Sequence, residues 1–90
     1  MLESDFEKEV VRWAIREGGL ALKLKIENDR GWPDRTIILP GGFIGFAELK
    51  RPKGSTKKYE QQKRKIAWLK KMGFPAAFCD TIDEIEDLCK

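Results

Sequence analysis

Residues 31–50 read GWPDRTIILPGGFIGFAELK, and this stretch decides the fold. Two runs rich in β-branched and aromatic residues, 35–39 and 43–49, flank the sequence Pro40-Gly41-Gly42. Because Pro and Gly favour turns, the two runs are predicted to be antiparallel strands joined as a hairpin. The second run is apolar at positions that face both ways, which predicts a central strand of the sheet.

Other elements are predicted on either side of this hairpin. Apolar residues at helical spacing predict one helix over residues 4–17 and another over 57–72. Alternating apolar residues predict a strand over 20–26, and a short apolar run predicts a strand over 75–79. A capping box at Thr81 predicts a short closing helix. The order αβββαβα indicates an α/β fold.

Length and composition limit the class of protein. The 90 residues are 41% hydrophobic and 37% charged, which predicts a single folded domain over residues 1–90, with no linker, repeat or low-complexity segment. No stretch approaches the roughly 18 apolar residues of a membrane span, and the N-terminus MLESDFEKEV lacks the pattern of a signal peptide. These features predict a cytoplasmic location and no membrane partner. So small a core makes association with a second copy plausible.

The content of cysteine and histidine excludes several kinds of site. Cys79 and Cys89 are the two cysteines of the sequence, which has no histidine. This composition excludes zinc-finger spacing, haem ligation by histidine and a Ser–His or Cys–His nucleophile. Both cysteines are predicted to be free, buried thiols.

Charge is unevenly distributed along the chain. The segment 50–71 contains ten Lys or Arg residues against the single acid Glu60, a local charge of +9, although the whole chain carries only +3. Such a segment indicates a surface that binds a polyanion. A Lys-rich helix that is merely solvated is the alternative.

Candidate catalytic residues lie at the ends of the two hairpin strands. Glu48 and Lys50 are two residues apart and therefore point to the same face of a strand, although a buried salt bridge accounts for that pair alone. The hairpin brings Asp34 opposite the Glu48 end. Two carboxylates without histidine form an all-oxygen site suited to Mg²⁺ or Mn²⁺, which can promote phosphodiester hydrolysis, with Lys50 orienting or deprotonating the attacking water. Asp34 as a turn-forming residue is the alternative.

These residues resemble the signature of the PD-(D/E)xK nuclease superfamily, with Pro33-Asp34 and Glu48-Leu49-Lys50 on adjacent strands after a helix. The pattern is most similar to the VRR-NUC family, through the motif 31–35 and through Gln62 followed by Leu69 and Gly73. The similarity extends from Glu9 to about Thr81. It implies a restriction-endonuclease-like αβββαβ core with a mixed central sheet flanked by helices, here followed by a short C-terminal helix.

The resemblance also implies metal-dependent cleavage of DNA, with Mg²⁺ or Mn²⁺ as cofactor. The implied catalytic residues are Asp34, Glu48, Lys50, Gln62 and Glu9. The implied metal-binding positions are Asp34, Glu48, Leu49 and Glu9, with Glu7 a weaker match than Glu9 for the helical glutamate. Glu9 as a surface residue and Gln62 as a core amide are the alternatives.

DNA contacts are expected from the basic segment and from the loop beside the site. The predicted contacts are Arg35, Arg51, Lys53, Lys57, Lys58, Arg64 and Trp32. Trp32 either stacks on a base or packs on its own domain. Standalone family members resemble Holliday-junction resolvases, so we expect a homodimer acting on four-way junctions in a bacterial or phage-infected cell. The first helix, Trp13 and Trp68 are the candidates for the interface, and packing in the core is the alternative for either Trp. The alternatives are a non-catalytic nucleic-acid-binding module and a structural protein with a chance motif.

Overall fold

The computed structural model describes residues 3–29, 31–49 and 57–90, apart from the side chains of Glu3 and Ser4. The elements are α1 (Glu3–Arg16), β1 (Leu20–Leu22), β2 (Arg35–Leu39), β3 (Phe43–Glu48), α2 (Lys57–Lys71), β4 (Ala76–Phe78) and α3 (Ile82–Leu88). This order is the αβββαβ core with a short C-terminal helix, so the predicted fold class is confirmed.

The described strands form one mixed sheet in the order β1-β2-β3-β4. Strands β1, β2 and β3 are antiparallel neighbours, whereas β4 runs parallel to β3. The hairpin closes between Leu39 and Phe43, where Gly41 and Gly42 have φ angles of 88° and 83° that L-residues with side chains rarely adopt. Because β2 and β4 flank it, β3 lies inside the sheet, as its apolar pattern predicts.

The two faces of the sheet are covered by different helices. Helices α1 and α3 pack on one face, where Val10, Ile37 and Ile85 are fully buried. Helix α2 packs on the other face, with Ile66 and Leu69 in one cluster with β3 and β4 residues. Trp13 is only 6% exposed within the first core, which places it in the interior and not at a surface available to a partner.

Strand β1 is shorter than the predicted 20–26. The last residue of β1 that pairs with β2 is Leu22, whose partner is Thr36. Strand β2 begins at Arg35, the residue before Thr36. Pro33, just before β2, has no N–H to continue the ladder. Leu24 and Ile26, which alternation assigns to a buried strand face, are instead exposed.

Helix α3 begins with the predicted cap. The Glu84 N–H donates to Oγ1 of Thr81 at 3.2 Å, and the Glu84 carboxylate accepts from the Asp80 N–H at 3.1 Å. The first bond satisfies an N–H group that the first turn of a helix leaves without a partner, and the second ties the residue before the cap to the helix. In the described ranges no helix has both the length and the apolar character needed to cross a membrane.

Both cysteines are free thiols, as predicted. Cys79 is buried, whereas Cys89 is only partly buried at the end of α3. Burial raises the pKa of the Cys89 thiol to about 11, and the negative charge of Glu17 adds to this effect. At neutral pH the Cys89 thiol therefore stays protonated and a poor nucleophile.

Candidate active site

Asp34 directly precedes β2 and is hydrogen-bonded to the residue that follows β3. The β2–β3 register pairs Arg35 with Ala47, and one further residue sets Asp34 opposite Glu48. The Leu49 N–H donates to Oδ2 of Asp34 at 2.9 Å. Since a hydrogen bond to a carboxylate is charge-assisted, this contact fixes Asp34 at the Glu48 end of the strand. The start of β2 and the end of β3 therefore lie next to each other, as the predicted hairpin requires.

Glu48 is buried at the end of β3, an interior strand of the sheet. Its residue is 1% exposed, and its carbonyl oxygen accepts from the Cys79 N–H at 2.8 Å, next to β4. Alternation along β3 places Glu48 on the same face as Phe46, which packs in the α2-side core. Because directly opposed residues of an antiparallel pair share a face, Asp34 belongs to this face too.

Helix α2 presents a buried amide to that face of the sheet. Gln62 is 8% exposed and shares its helical face with Ile66 and Leu69. Gln61, one residue earlier, lies at the surface beside the loop that precedes β2. The prediction that Gln62 faces inward is confirmed, whereas Gln61, expected to face solvent, is half-buried. The catalytic role of Gln62 stays a prediction.

The glutamates of α1 are placed differently from each other. Oε1 of Glu7 lies 2.7 Å from Nη2 of Arg35, and Nη1 of Arg35 donates to the carbonyl oxygen of Ala21 at 3.2 Å. The Arg35 side chain is only 15% exposed. Its guanidinium therefore ties α1 to β1 and β2, an arrangement that favours a structural role over the predicted phosphate contact. Glu9 is half-buried.

Asp34 and Glu48 are the two carboxylates at this end of β3. Within residues 3–29, 31–49 and 57–90, no group of three or more His, Cys, Asp or Glu side chains is arranged to hold a metal ion. Asp34 and Glu48 lie at one strand end, and Glu9 is a half-buried residue of α1. The predicted metal ligation by Glu9 and by Leu49 stays a prediction.

Trp32 packs on its own domain. Its ring meets that of Phe46 edge to face, with centroids 5.4 Å apart, and its Nε1–H donates to Oγ1 of Thr36 at 3.3 Å. Both contacts hold the half-buried indole beneath α2. The structure therefore favours the packing alternative for Trp32, and stacking on DNA requires the exposed part of its ring.

Several predicted contacts are exposed on α2, and others fall outside the described residues. Lys57, Lys58 and Arg64 are exposed and available to a phosphate backbone. The remaining basic predictions, Lys50, Arg51 and Lys53, lie outside the described residues.

An ion pair between the loop before β2 and helix α2 was not predicted. Nζ of Lys65 lies 2.6 Å from Oδ2 of Asp29, whose Oδ1 accepts from the Gly31 N–H at 3.2 Å. Asn28, with a φ of 63°, turns the chain into this contact. A Cβ on Gly31 would lie 3.1 Å from the Gln61 carbonyl oxygen, so the missing side chain allows the loop to approach α2 closely.

The hydrogen bond from Lys65 lowers the pKa of Asp29 below its ordinary value of 3.8. The pair therefore stabilises the folded state at neutral pH, and this contribution is lost as the pH falls through the lowered pKa. The turn-forming residues Asn28 and Asp29 signal a bend in the sequence, but no sequence spacing identifies Lys65 as the partner.

Comparison with known proteins identifies the family to which the chain belongs. No family model matches the chain. It is 36% identical over 81 residues to "Putative nuclease p44" of Acyrthosiphon pisum secondary endosymbiont phage 1, covering 90% of this chain and 85% of that protein. A solved structure described as a VRR_NUC domain is 28% identical and superposes with a TM-score of 0.79 over 96% of this chain and 91% of that one. The chain thus belongs to the VRR-NUC family of the PD-(D/E)xK nuclease superfamily, as its motifs indicate.

Proposed function

We propose that this protein is a metal-dependent endonuclease that hydrolyses phosphodiester bonds of DNA. The observation that carries the proposal is the hydrogen bond from the Leu49 N–H to Asp34, which holds this carboxylate at the end of β3 where the buried Glu48 lies. Family membership and the nuclease named in the phage relative support the reaction class. The exposed cations of α2 support a nucleic-acid substrate.

The donor set of the proposed site fits Mg²⁺ or Mn²⁺. Both cations prefer oxygen ligands, and Asp34 and Glu48 supply two carboxylates at one strand end. The Leu49 carbonyl and Glu9 are the further donors that the family resemblance implies. When bound, the cation supplies positive charge that stabilises the transition state of phosphodiester hydrolysis.

The residues of the chain have distinct proposed tasks in this reaction. The Leu49 N–H holds the Asp34 carboxylate in one orientation. Packing around Glu48 restricts its rotamers, so both carboxylates are positioned before substrate arrives. The ammonium of Lys50 would orient or deprotonate the attacking water and offset the developing negative charge, and the Gln62 amide would orient a polar group of the substrate.

Incubation with linear, flapped and four-way-junction DNA, in Mg²⁺ or Mn²⁺ and then in excess EDTA, tests the proposal. We expect cleavage that EDTA abolishes. Binding without cleavage of any of these substrates would instead support a non-catalytic nucleic-acid-binding module, for which the basic surface of α2 suffices.

Salt is expected to weaken DNA binding steeply. If the +9 segment neutralises about 4–6 phosphates, a plot of log K against log salt concentration on duplex DNA should have a slope of about −4 to −5. Fluorescence anisotropy at several salt concentrations measures this slope. Replacing Lys57, Lys58 and Arg64 together with alanine should make the slope shallower by about one unit per residue. A wild-type slope near zero would show that the segment is only a solvated surface.

We further propose that the protein acts as a two-fold dimer on four-way junctions. One chain has a single candidate site, whereas resolution of a junction needs two symmetric cuts, which two identical sites supply. Trp13 is buried and therefore unsuited to the interface. The exposed residues Leu20, Ile38 and Ile44 are cross-strand neighbours and form an apolar row on the sheet, which is the candidate interface.

Light scattering should give a mass near twice 10.4 kDa, and a synthetic junction should be cut in paired strands. Ile38→Glu should produce a monomer, because it places a charge in the apolar row. Ile15→Glu, which makes the same substitution at an exposed position on α1, should leave the dimer intact. A monomer at micromolar concentration that prefers flaps or plain duplex would contradict the dimer and the junction preference while leaving the nuclease proposal standing.

A further inference from the structure

A groove of about 450 Å³ lies between helix α2 and the loop before β2. Trp68 and Arg64 line it from the helix, and Asn28 and Asp29 line it from the loop. Its volume is within the range of pockets that hold small ligands. The groove is separate from the carboxylate pair, although Gln61, which also lines it, is the neighbour of Gln62.

Trp68 gives the groove a large apolar surface. It is 49% exposed, whereas Ile66 and Leu69 on the same helix are buried against the sheet. The helix therefore directs this indole outward, where water contacts much of its ring. An exposed indole of this kind offers a planar surface on which a base can stack.

The cations around Trp68 restrict the chemistry of its ligand. Nζ of Lys65 lies 5.2 Å from the centroid of the Trp68 ring, within range of a cation–π interaction. Arg64 and Lys71 are four residues before and three residues after Trp68, so helical spacing places them beside it. A flat apolar surface bordered by positive charge suits a ligand with a planar ring and a phosphate.

The loop wall of the groove is held in place. The ion pair between Lys65 and Asp29 at 2.6 Å and the bond from the Gly31 N–H to Asp29 anchor it to α2. Because Lys65 compensates the Asp29 carboxylate, that acid repels a phosphate less than an isolated carboxylate would. The amides of Asn28 and Gln61 add donors and acceptors that can meet the polar edge of a base.

We propose that this groove binds an unpaired nucleotide of the DNA substrate, with its base stacked on Trp68 and its phosphate bound by Arg64. Stacking on an aromatic side chain accepts any base and requires a base released from its pair. The inference rests on the proposed DNA-binding function and adds a preference for DNA with single-stranded nucleotides over continuous duplex. It is independent of the junction preference.

Binding in EDTA tests the groove without cleavage of the probe. Fluorescence anisotropy would compare a 15-residue oligothymidylate with a blunt duplex, for wild type, Trp68→Ala and Trp68→Phe. Trp68→Ala should lower affinity for the oligothymidylate about tenfold, within the range for losing one stacked base, and change duplex affinity less than about twofold. Trp68→Phe should keep most of the affinity, since a phenyl ring still stacks.

Ile15→Ala is the matched control, because Ile15 is an exposed apolar residue on α1, outside the groove. It should alter neither affinity. Tryptophan fluorescence gives a second readout, since oligothymidylate should quench the wild-type emission and quench Trp68→Phe much less, although that variant still binds.

Equal losses on both DNAs, or no loss on either, would overturn the groove assignment. So would a Trp68→Ala variant that turns a dimer into a monomer, since Trp68 would then contact a second copy. If wild type bound and cut DNA while Trp68→Ala bound both DNAs as wild type does, only the proposal for the groove would be wrong. If wild type bound neither DNA, the proposed function would fail as well.

Discussion

Replacing Glu48 with glutamine should lower the rate of DNA cleavage by roughly 10³-fold or more, because it removes one of two carboxylates proposed to hold the metal. A catalytic cation contributes several kcal/mol of charge stabilisation to the transition state. A loss of about 4 kcal/mol corresponds to roughly 10³-fold in rate. Rates on flapped and four-way-junction DNA, measured over a range of Mn²⁺ concentrations, check the prediction.

Glutamine is chosen because Glu48 is buried and a smaller residue would leave a cavity. Its amide has nearly the same volume without the charge, so the variant should remain folded and still bind DNA. A ligand that binds only the folded state raises the melting temperature. We therefore expect Mn²⁺ to raise the melting temperature of wild type and to have little effect on Glu48→Gln. Glu86→Gln, which neutralises an exposed carboxylate on α3, is the matched control and should behave as wild type.

Asp34→Asn tests the other carboxylate with its hydrogen bond retained. The asparagine side-chain oxygen can still accept from the Leu49 N–H, so the strand end should keep its geometry while losing a charge. We expect a comparable loss of cleavage. Full activity of either variant, or cleavage that survives excess EDTA in wild type, would contradict a metal site built on this pair.

The part of the site that sequence patterns predict well depends on local rules. The turn residues 40–42 set the β2–β3 hairpin, and the hairpin alone implies that Asp34 meets the Glu48 end of β3. Helical spacing alone separates Gln62 from Gln61. In each case, contact follows from residues close in sequence or from the fixed period of one element.

The features that the sequence did not predict depend on distant contacts. Strand β1 ends at Leu22, which pairs with Thr36 near the start of β2, and periodicity within residues 20–26 carries no information about where that partner begins. Lys65 and Asp29 are 36 residues apart, and Arg35 and Glu7 are 28 apart. A lysine or arginine that pairs with a distant acid has the same local pattern as one that binds phosphate. The sequence therefore predicts a DNA contact for Arg35, whereas the structure pairs it with Glu7.

Lys50→Ala should lower the turnover rate by roughly 10²-fold or more while leaving DNA affinity and metal affinity nearly unchanged. Loss of a general base, or of one charge that stabilises the transition state, typically has an effect of about this size. Lys50 lies outside the described residues, but it follows Leu49, whose N–H binds Asp34. Single-turnover rates at saturating protein, compared with anisotropy measurements of DNA binding, separate the chemical step from affinity.

Lys63→Ala is the matched control, because Lys63 is an exposed lysine of α2 in the same basic segment. It should weaken DNA binding slightly and leave the single-turnover rate unchanged, since it removes one phosphate-attracting charge from the exposed side of α2. Lys50→Arg keeps the positive charge but is too basic to take a proton from water near neutral pH. Recovery of the rate by arginine would therefore assign Lys50 an electrostatic task, and failure to recover would favour proton transfer. If Lys50→Ala behaved like Lys63→Ala, with weaker binding at an unchanged rate, Lys50 would be one more phosphate contact and the reaction would rely on the carboxylate pair.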